Sequence, residues 1–591
     1  MNISKYFVFA VFLLLSVSSV TGQYNYQSSY LENPDLMKGF VDSCATFWFN
    51  SYDRTYGGFY ENVSREGNAT GSSKTMLSQS RNAYGMVRAF MLTGDTTFLS
   101  YARGALDFMY ANAWDDVHGG WFNEFNRDGS LNSGGANSSY RNSFFQHYAL
   151  LGISAMVDAT RNSKDWAKLL EGRKIIDEKL WDSRPDYHGY YDEADLDWSN
   201  PRGKGFTPTM DGVTTHVLSM YLLTGESKYK ERLIILADNI IDHIWPAMDL
   251  FNYSFPESYN DNWEPDLSDT FVFTGHSLKT AWCAERAYLI DPKPEYMEFS
   301  TYIIEEVLDK GYDHQNGGNY STADGLSGNL HNTNKVWWEL QQGFNSSVMN
   351  YYISKDEKFL KMADEILDFF MTYFADPVYG EVYNTSNRFG SVNNKDKAGY
   401  WKAGYHSIEL GFHTYMYGNL YLHKKPVELF YKYEPADSAR SIFLYPIAIE
   451  DDKLIIKNVE LDGELYTDFS SADRILNVPA GTHGIFKVIY TTTDATAIAN
   501  DNIPADFKLE QNYPNPFNPN TYIKFTLSQS SNVSIKIFDV LGREVATLVN
   551  EFKDAGNYTV NFDASTLTSG LYVYRLEAAN FLASKKMILL R

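Results

Sequence analysis

Up to residue 425, apolar positions recur at i, i+3, i+4 and i+7 in long stretches of two alternating kinds. One kind, as in YKERLIILADNIIDHIW and KFLKMADEILDFFMTYF, has charge opposite its apolar stripe and predicts helices with one wet face. The other, as in YRNSFFQHYALLGISAM and TGHSLKTAWCAERAYLI, is apolar on nearly all sides and predicts helices buried on nearly all sides. Between an outer and an inner stretch lies an aspartate followed by a glycine-aromatic turn, beginning in succession at Asp53, Asp115, Asp186, Asp249, Asp313 and Asp376. Spacing this regular marks a repeat. Six outer and six inner helices in alternation predict a mainly α fold, an (α/α)6 barrel over residues 23–425. The connectivity puts all six turns and all six inner-helix N-termini on one face, where a ligand could enter.

Beyond residue 425 the period changes from helical to alternating. Segments such as KLIIKNVELDGELYTDF predict a small β-sandwich over 426–490, structural in role or glycan-binding. A Thr/Ala/Asp/Asn-rich linker is expected at 491–506, and a further strand-rich β-sandwich over 507–591. At the other end, MNISKYFVFAVFLLLSVSSVTGQ has the layout of a cleaved secretory signal over 1–22. No other segment has the ~20 consecutive apolar residues of a membrane span, so no stable span is expected.

Composition narrows the ligand. The chain of 591 residues carries 51 basic against 74 acidic side chains, a formal charge of −23, which disfavours nucleic acid as a partner. Its 44 Tyr and 12 Trp suit stacking on sugar rings as well as packing a core. The two cysteines, Cys44 and Cys283, lie within apolar helical patterns and read as buried free thiols despite the expected export.

At the starts of the inner helices stand Arg81, Tyr140, Arg141, His147, His216, His276, Lys279, Trp337, Trp338, Gln342, Tyr405, His406 and Glu409. His216, His276 and His406 follow their turn aspartates, Asp186, Asp249 and Asp376, at nearly equal spacing, which predicts three histidines at similar depth in one mouth. Histidine titrates near pH 6.5, so two on opposite sides of a substrate can take a proton from one face and return it to the other. An arginine beside them can stabilise the oxyanion formed next to a carbonyl, and the paired tryptophans offer a stacking surface. Zinc is the chemical competitor, but the three histidines come from separate helices with no short-range ligand pair, and no metal or other cofactor is expected.

These residues resemble the N-acylglucosamine 2-epimerase superfamily, which includes cellobiose 2-epimerase and mannose isomerase. The resemblance rests on GHSLKTAW from Gly275, KVWW from Lys335, WKAGYH from Trp401 and Arg81 in SQSRNAY. It implies that His276 and His406 are the acid/base pair moving the C2 proton, with His216 and Arg81 assisting ring opening and enediolate stabilisation. Trp337, Trp338, Lys279, Gln342, Glu409, Tyr140 and Tyr405 are the expected substrate-binding residues. Where cellobiose 2-epimerases have glutamate three residues after the fourth-helix histidine this chain has Lys279; Gln342 and Ser219 stand for two further glutamates, and Glu409 for an arginine. Lys279 and Glu409 are therefore expected to form a swapped ion pair.

The C-terminal stretch 507–591, with NYPNPFNPNTYIKFTL and a KKMILLR end, resembles the C-terminal sorting domain of the type IX secretion system. That resemblance implies recognition by the secretion machinery and a secreted or cell-surface location. The expected function is a sugar 2-epimerase or isomerase acting at a reducing end. The alternatives are a glycoside hydrolase or polysaccharide lyase on the same barrel, with Glu409 as the obvious inner-helix acid and Asp211, Glu61, Glu124 or Glu193 within reach of the mouth, or a non-catalytic glycan-binding protein. The sequence leaves the oligomeric state open.

Overall fold

The computed structural model describes residues 24–134, 139–494, 507–553, 555–579 and 581–590. The expected signal segment and most of the expected linker lie outside the described residues.

Six inner helical segments pack side by side in a closed circuit. They are Met76–Thr93, Ser143–Thr160, a segment of π turns and α-helix from Thr207–Asp211 to Leu218–Thr224, Thr274–Ile290, Trp337–Ser354 and His406–Tyr417. Each packs on the next, and the last packs on the first. Around them lie Leu36–Phe47, Thr96–Asn112, Ser163–Lys179, Ser227–Asn239, Pro294–Glu306 and Glu357–Tyr373, each against an inner partner. The first outer helix, Leu36–Phe47, packs on the last inner helix, so the ends of the helical region meet. Gly85 allows the closure: a methyl group there would sit 2.7 Å from Ile408 Cδ1 and against the Gly404 carbonyl.

Short antiparallel pairs tie each repeat to the next at the end where the inner helices begin. Lys74–Thr75 pairs with Glu124–Phe125, Tyr140–Asn142 with Glu193–Asp195, Lys204–Gly205 with Ser258–Tyr259, Phe271–Phe273 with Thr322–Asp324, and Lys335–Val336 with Thr385–Ser386. A bridge from Val63 to Ala398 closes the set.

The turn aspartates anchor this rim. Asp53 accepts Lys74 Nζ at 3.0 Å and Arg127 Nε at 2.9 Å; Asp376 lies 3.1 Å from Lys397 Nζ and 2.7 Å from Arg65 Nε. Asp115 holds Arg141, and Asp313 holds Lys335 and Arg388. In the third repeat the buried aspartate is Asp182, which binds Lys204 and Arg184, whereas the expected Asp186 is exposed. In the fourth, Asp249 sits exposed on a 3-10 turn.

Burial opposes ionisation of Asp376, but Arg65, the Val378 amide, Tyr383 and Lys397 outweigh it and hold the carboxyl well below its usual range. A depressed folded pKa means stabilisation that is present above the unfolded value near 4 and is lost as the pH falls through the folded pKa. Asp376→Asn is expected to lower unfolding free energy by about 2–3 kcal/mol, from the charged hydrogen bonds lost. Urea unfolding at pH 7 measures this, and the deficit should shrink in acid.

The β-region from 427 to 492 seats on the opposite end of the inner helices. One sheet runs Val427–Tyr433, Gly484–Thr492, Leu454–Leu461, Glu464–Leu465, and the other Arg440–Phe443, Ile475–Val478, Phe469–Ser470. Its last strand extends to Thr492, two residues beyond the expected boundary. Its apolar residues form one core with those of the helices. Arg161 Nη2 donates to the Phe443 carbonyl at 2.7 Å and Tyr352 to Glu450 at 2.8 Å, so this region closes the end away from the rim.

The C-terminal region has its own core and seven strands among the described residues. Three form the sheet Lys508–Leu509, Asn520–Leu527, Gly556–Asp563; four form Glu544–Lys553, Ser531–Phe538, Gly570–Ala578, Phe581–Leu589. Cys44 and Cys283 are buried and free, and no helix among the described residues is long and apolar enough to cross a membrane.

Candidate active site

His276 is the third residue of the helix Thr274–Ile290, and His406 the first of His406–Tyr417. One indole adjoins both: the Trp338 ring centroid is 5.2 Å from that of His276 and 6.3 Å from that of His406. The glycine preceding His276 makes this packing possible, since a methyl on Gly275 would lie 2.6 Å from Glu339 Cγ and 2.7 Å from Trp338 Cζ3.

His276 is half-buried, with Phe206 stacked on it at 3.8 Å. Its Nδ1 is 2.8 Å from Glu257 Oε2. A carboxylate there accepts the Nδ1 proton, fixes the tautomer and leaves Nε2 for chemistry. Glu257 also accepts the Phe273 amide at 3.0 Å, which holds it in place. Beneath, Glu339 accepts Ser321 at 2.7 Å and the Gly275 amide at 3.3 Å; burial pushes its carboxyl well up, with Glu257 adding to the effect.

His406 is buried at 6% exposure, and its Nδ1 lies 3.0 Å from Gln341 Oε1. Burial, followed by the positive charges of Arg81, Lys279 and Lys402, pushes this imidazole well below its ordinary value. The helix N-terminus acts in the same direction. The surroundings thus favour the neutral form of the His406 ring at physiological pH.

Arg81 is buried against the Tyr148 ring at 4.4 Å, donates to the Trp401 carbonyl and lies 5.7 Å from the Tyr405 ring. Its Nε has no hydrogen-bond partner among the described residues. Tyr405 packs on His406 at 4.2 Å. Trp337 is buried edge-on to His406, 6.0 Å away, while Trp338 is half-buried and Trp401 is 57% exposed beside Phe144 and Phe145. The open aromatic surface at the mouth therefore includes Trp401 and Trp338 more than Trp337. Tyr140 stands on the rim strand that pairs with Glu193–Asp195, half-buried.

Two expectations are corrected. Lys279 does not pair with Glu409: its ammonium binds Asp211 of the third inner segment. Burial works to lower the Lys279 pKa, but Asp211 and Tyr148 prevail and raise it, so the ammonium stays charged. Glu409 accepts Tyr84 on Oε1 and Gln341 on Oε2, both at 3.0 Å. Helical spacing placed the two residues at one height without fixing which neighbours they face.

His216, expected in the mouth, is fully buried, and its Nε2 is 2.9 Å from His147 Nδ1. Burial first, and then His147, push His216 well down, and burial takes His147 to about 4, so this pair is neutral. Glu257, Phe206 and Gln341 carry no signal in the repeat spacing. Glu257 comes from a loop, Phe206 caps the start of the third inner segment, and Gln341 is one of two adjacent glutamines.

Among the described residues no group of three or more His, Cys, Asp or Glu is placed to hold a metal ion. Asp211 is tied to Lys279 and Glu409 to Gln341 and Tyr84, which commits two of the nearest acids to structural partners.

Residues 511–590 match the secretion system C-terminal sorting domain. Cellobiose 2-epimerase of Eubacterium cellulosolvens is 22% identical over 402 residues, covering 64% of this chain and 96% of the relative. Crystallised D-mannose isomerase superposes with TM-score 0.59 at 17% identity, over 66% of this chain and 99% of that one. Cellobiose 2-epimerase from Spirochaeta thermophila DSM 6192 gives 0.58 at 19%, over 66% and 99%. The helical region shares the fold of these enzymes. The profile of N-acylglucosamine 2-epimerase (GlcNAc 2-epimerase) matches residues 58–409, well over half of the sequence, and the chain belongs to that family.

Proposed function

We propose that this protein is an exported sugar 2-epimerase or isomerase that acts on the reducing end of a mono- or oligosaccharide, in an (α/α)6 barrel formed by the twelve helical segments. The observation that carries the reading is the pair of histidines flanking Trp338, each with Nδ1 engaged and Nε2 left to act. With the sugar ring opened to its aldehyde, neutral His406 takes the C2 proton onto Nε2. The C–H electrons pass into an enediolate, whose negative oxygen lies within the field of Arg81 and Lys279. The His276 ring, held by Glu257, gives an Nε2 proton to the opposite face of C2. The two rings then re-equilibrate their protons with water. The secreted or cell-surface location is supported by the sorting domain, which would address the protein to the type IX machinery.

The test is product analysis after incubation with cellobiose, mannobiose, mannose and N-acetylmannosamine. A 2-epimer or the corresponding ketose is the expected product. Release of monosaccharide from the disaccharides would instead favour hydrolysis. A pH dependence is expected from the same reading: His406 must be neutral to act, and burial with the nearby cations lowers its pKa. The limb of the kcat profile due to His406 therefore lies below pH 6.5, activity being lost as the pH falls through it and retained above.

A further inference from the structure

The epimerase reading needs a lone pair on His406 Nε2, and a chain of buried groups beneath the ring supplies it. Tyr84 donates its hydroxyl to Glu409 Oε1 at 3.0 Å, Gln341 donates Nε2 to Glu409 Oε2 at 3.0 Å, and Gln342 donates Nε2 to Gln341 Oε1 at 2.8 Å. All four are 5% exposed or less. We propose that Gln341, oriented by Glu409 and Gln342, is the positioning residue that holds His406 in its Nδ1-protonated tautomer, and so makes it the ring that withdraws the C2 proton.

An isolated glutamine could present either end of its amide to His406, so its neighbours decide the orientation. Burial pushes the Glu409 carboxyl up, while Arg286, the Tyr84 hydroxyl and Lys279 favour its charged form; as a carboxylate it only accepts, and so draws the amide NH2 of Gln341. The Gln342 NH2 needs an acceptor and takes the carbonyl. The same carbonyl then faces His406 Nδ1. A carbonyl has no proton to give, so Nδ1 must carry one and Nε2 must be bare. A rotated Gln341 would set its carbonyl against the Glu409 oxygen, two acceptors in a buried site, at the cost of two unmet polar groups.

The two histidines are then unlike by construction. His276 leans on a carboxylate, which supplies a counter-ion when the ring is charged, whereas His406 leans on a neutral amide and has cations around it. This asymmetry gives the proton transfer its starting direction, from C2 to His406 and from His276 back to C2. Glu409 stands where the resemblance leads one to expect arginine. An arginine has only donors and would demand the other end of Gln341. On this reading Glu409 and Gln341 work as one unit.

The test is the ring tautomer of His406 in the full-length protein labelled with [15N]histidine, read from long-range 15N–1H correlations and assigned by the signal lost in His406→Ala. The expected result is a protonated Nδ1 and an unprotonated Nε2 at pH 7.5. An Nε2-protonated ring in the native protein overturns the proposal without any further variant. Gln341→Leu should introduce the Nε2-protonated form and lower kcat for C2 exchange at least about tenfold at little changed KM. An unchanged tautomer in Gln341→Leu also overturns the proposal. Because it rests on the epimerase reading, the two are kept apart by their readouts: absent C2 exchange refutes the enzyme assignment, whereas the tautomer is measured without substrate.

Discussion

His406→Ala is expected to reduce C2 proton exchange by about 10²–10⁴-fold, the usual contribution of a positioned general base. Substrate affinity should change little, because the aromatic surface of Trp338 and Trp401 remains. The magnitude follows from the site: the ring is nearly buried, pushed toward its neutral form and bonded through Nδ1, so its removal takes away that positioned base. His276→Ala should behave differently with the direction of reaction followed. It removes the ring held by Glu257, so withdrawal of the C2 proton survives better than its return to the opposite face. Exchange measured without net epimerisation would be the signature. Equal loss of both steps in the two variants would mean that the rings do not divide the task.

Lys279→Met is expected to destabilise the fold by about 3–5 kcal/mol, the cost of leaving one partner of a buried ion pair uncompensated. Lys279 and Asp211 are both nearly inaccessible, and the lysine keeps its charge only because the carboxylate outweighs burial. Thermal unfolding should show the loss. Lys279→Met with Asp211→Leu should recover a large part of it, since an apolar pair does not strand a charge. The same variant tests the electrostatics of the base. Lys279 is one of three cations that depress His406, so its removal should raise the His406 pKa and move the acid limb of kcat to higher pH. A destabilised protein with an unmoved limb would show that Lys279 is structural alone.

The architecture was legible in the sequence because it rests on periods. The inner helices are apolar all round and the outer ones are not, and a turn motif that returns at nearly constant spacing implies repeated units. The exceptions are instructive. Asp182 takes the anchoring place expected for Asp186 because the lysine and arginine it meets, Lys204 and Arg184, choose the carboxylate they can reach. A motif in sequence does not see that choice. The role of the 427–492 region as a cover over one end of the inner helices was open for the same reason, since alternation along a strand tells which residues are buried and not against what.

At the site, the glycine-histidine and paired tryptophans pointed to one neighbourhood, and the structure brings His276, His406, Trp338, Tyr405 and Arg81 together. Partners were not legible. Lys279 could face any residue one turn deep on two adjacent helices, and it meets Asp211. His216 shares the height of the other histidines but turns to His147, because it sits where two inner segments touch. Glu257 reaches His276 from a loop nineteen residues earlier, a distance that no helical or strand period encodes.

The most direct test of the account is proton NMR of the purified protein with cellobiose, mannobiose, mannose and N-acetylmannosamine in deuterated water, following the C2 proton of each. Loss of that signal for at least one sugar, with deuterium appearing at C2 of both epimers and no such loss in His406→Ala, is the result the account predicts. Retention of the C2 proton on every sugar, or exchange that persists at the native rate in His406→Ala, would contradict it.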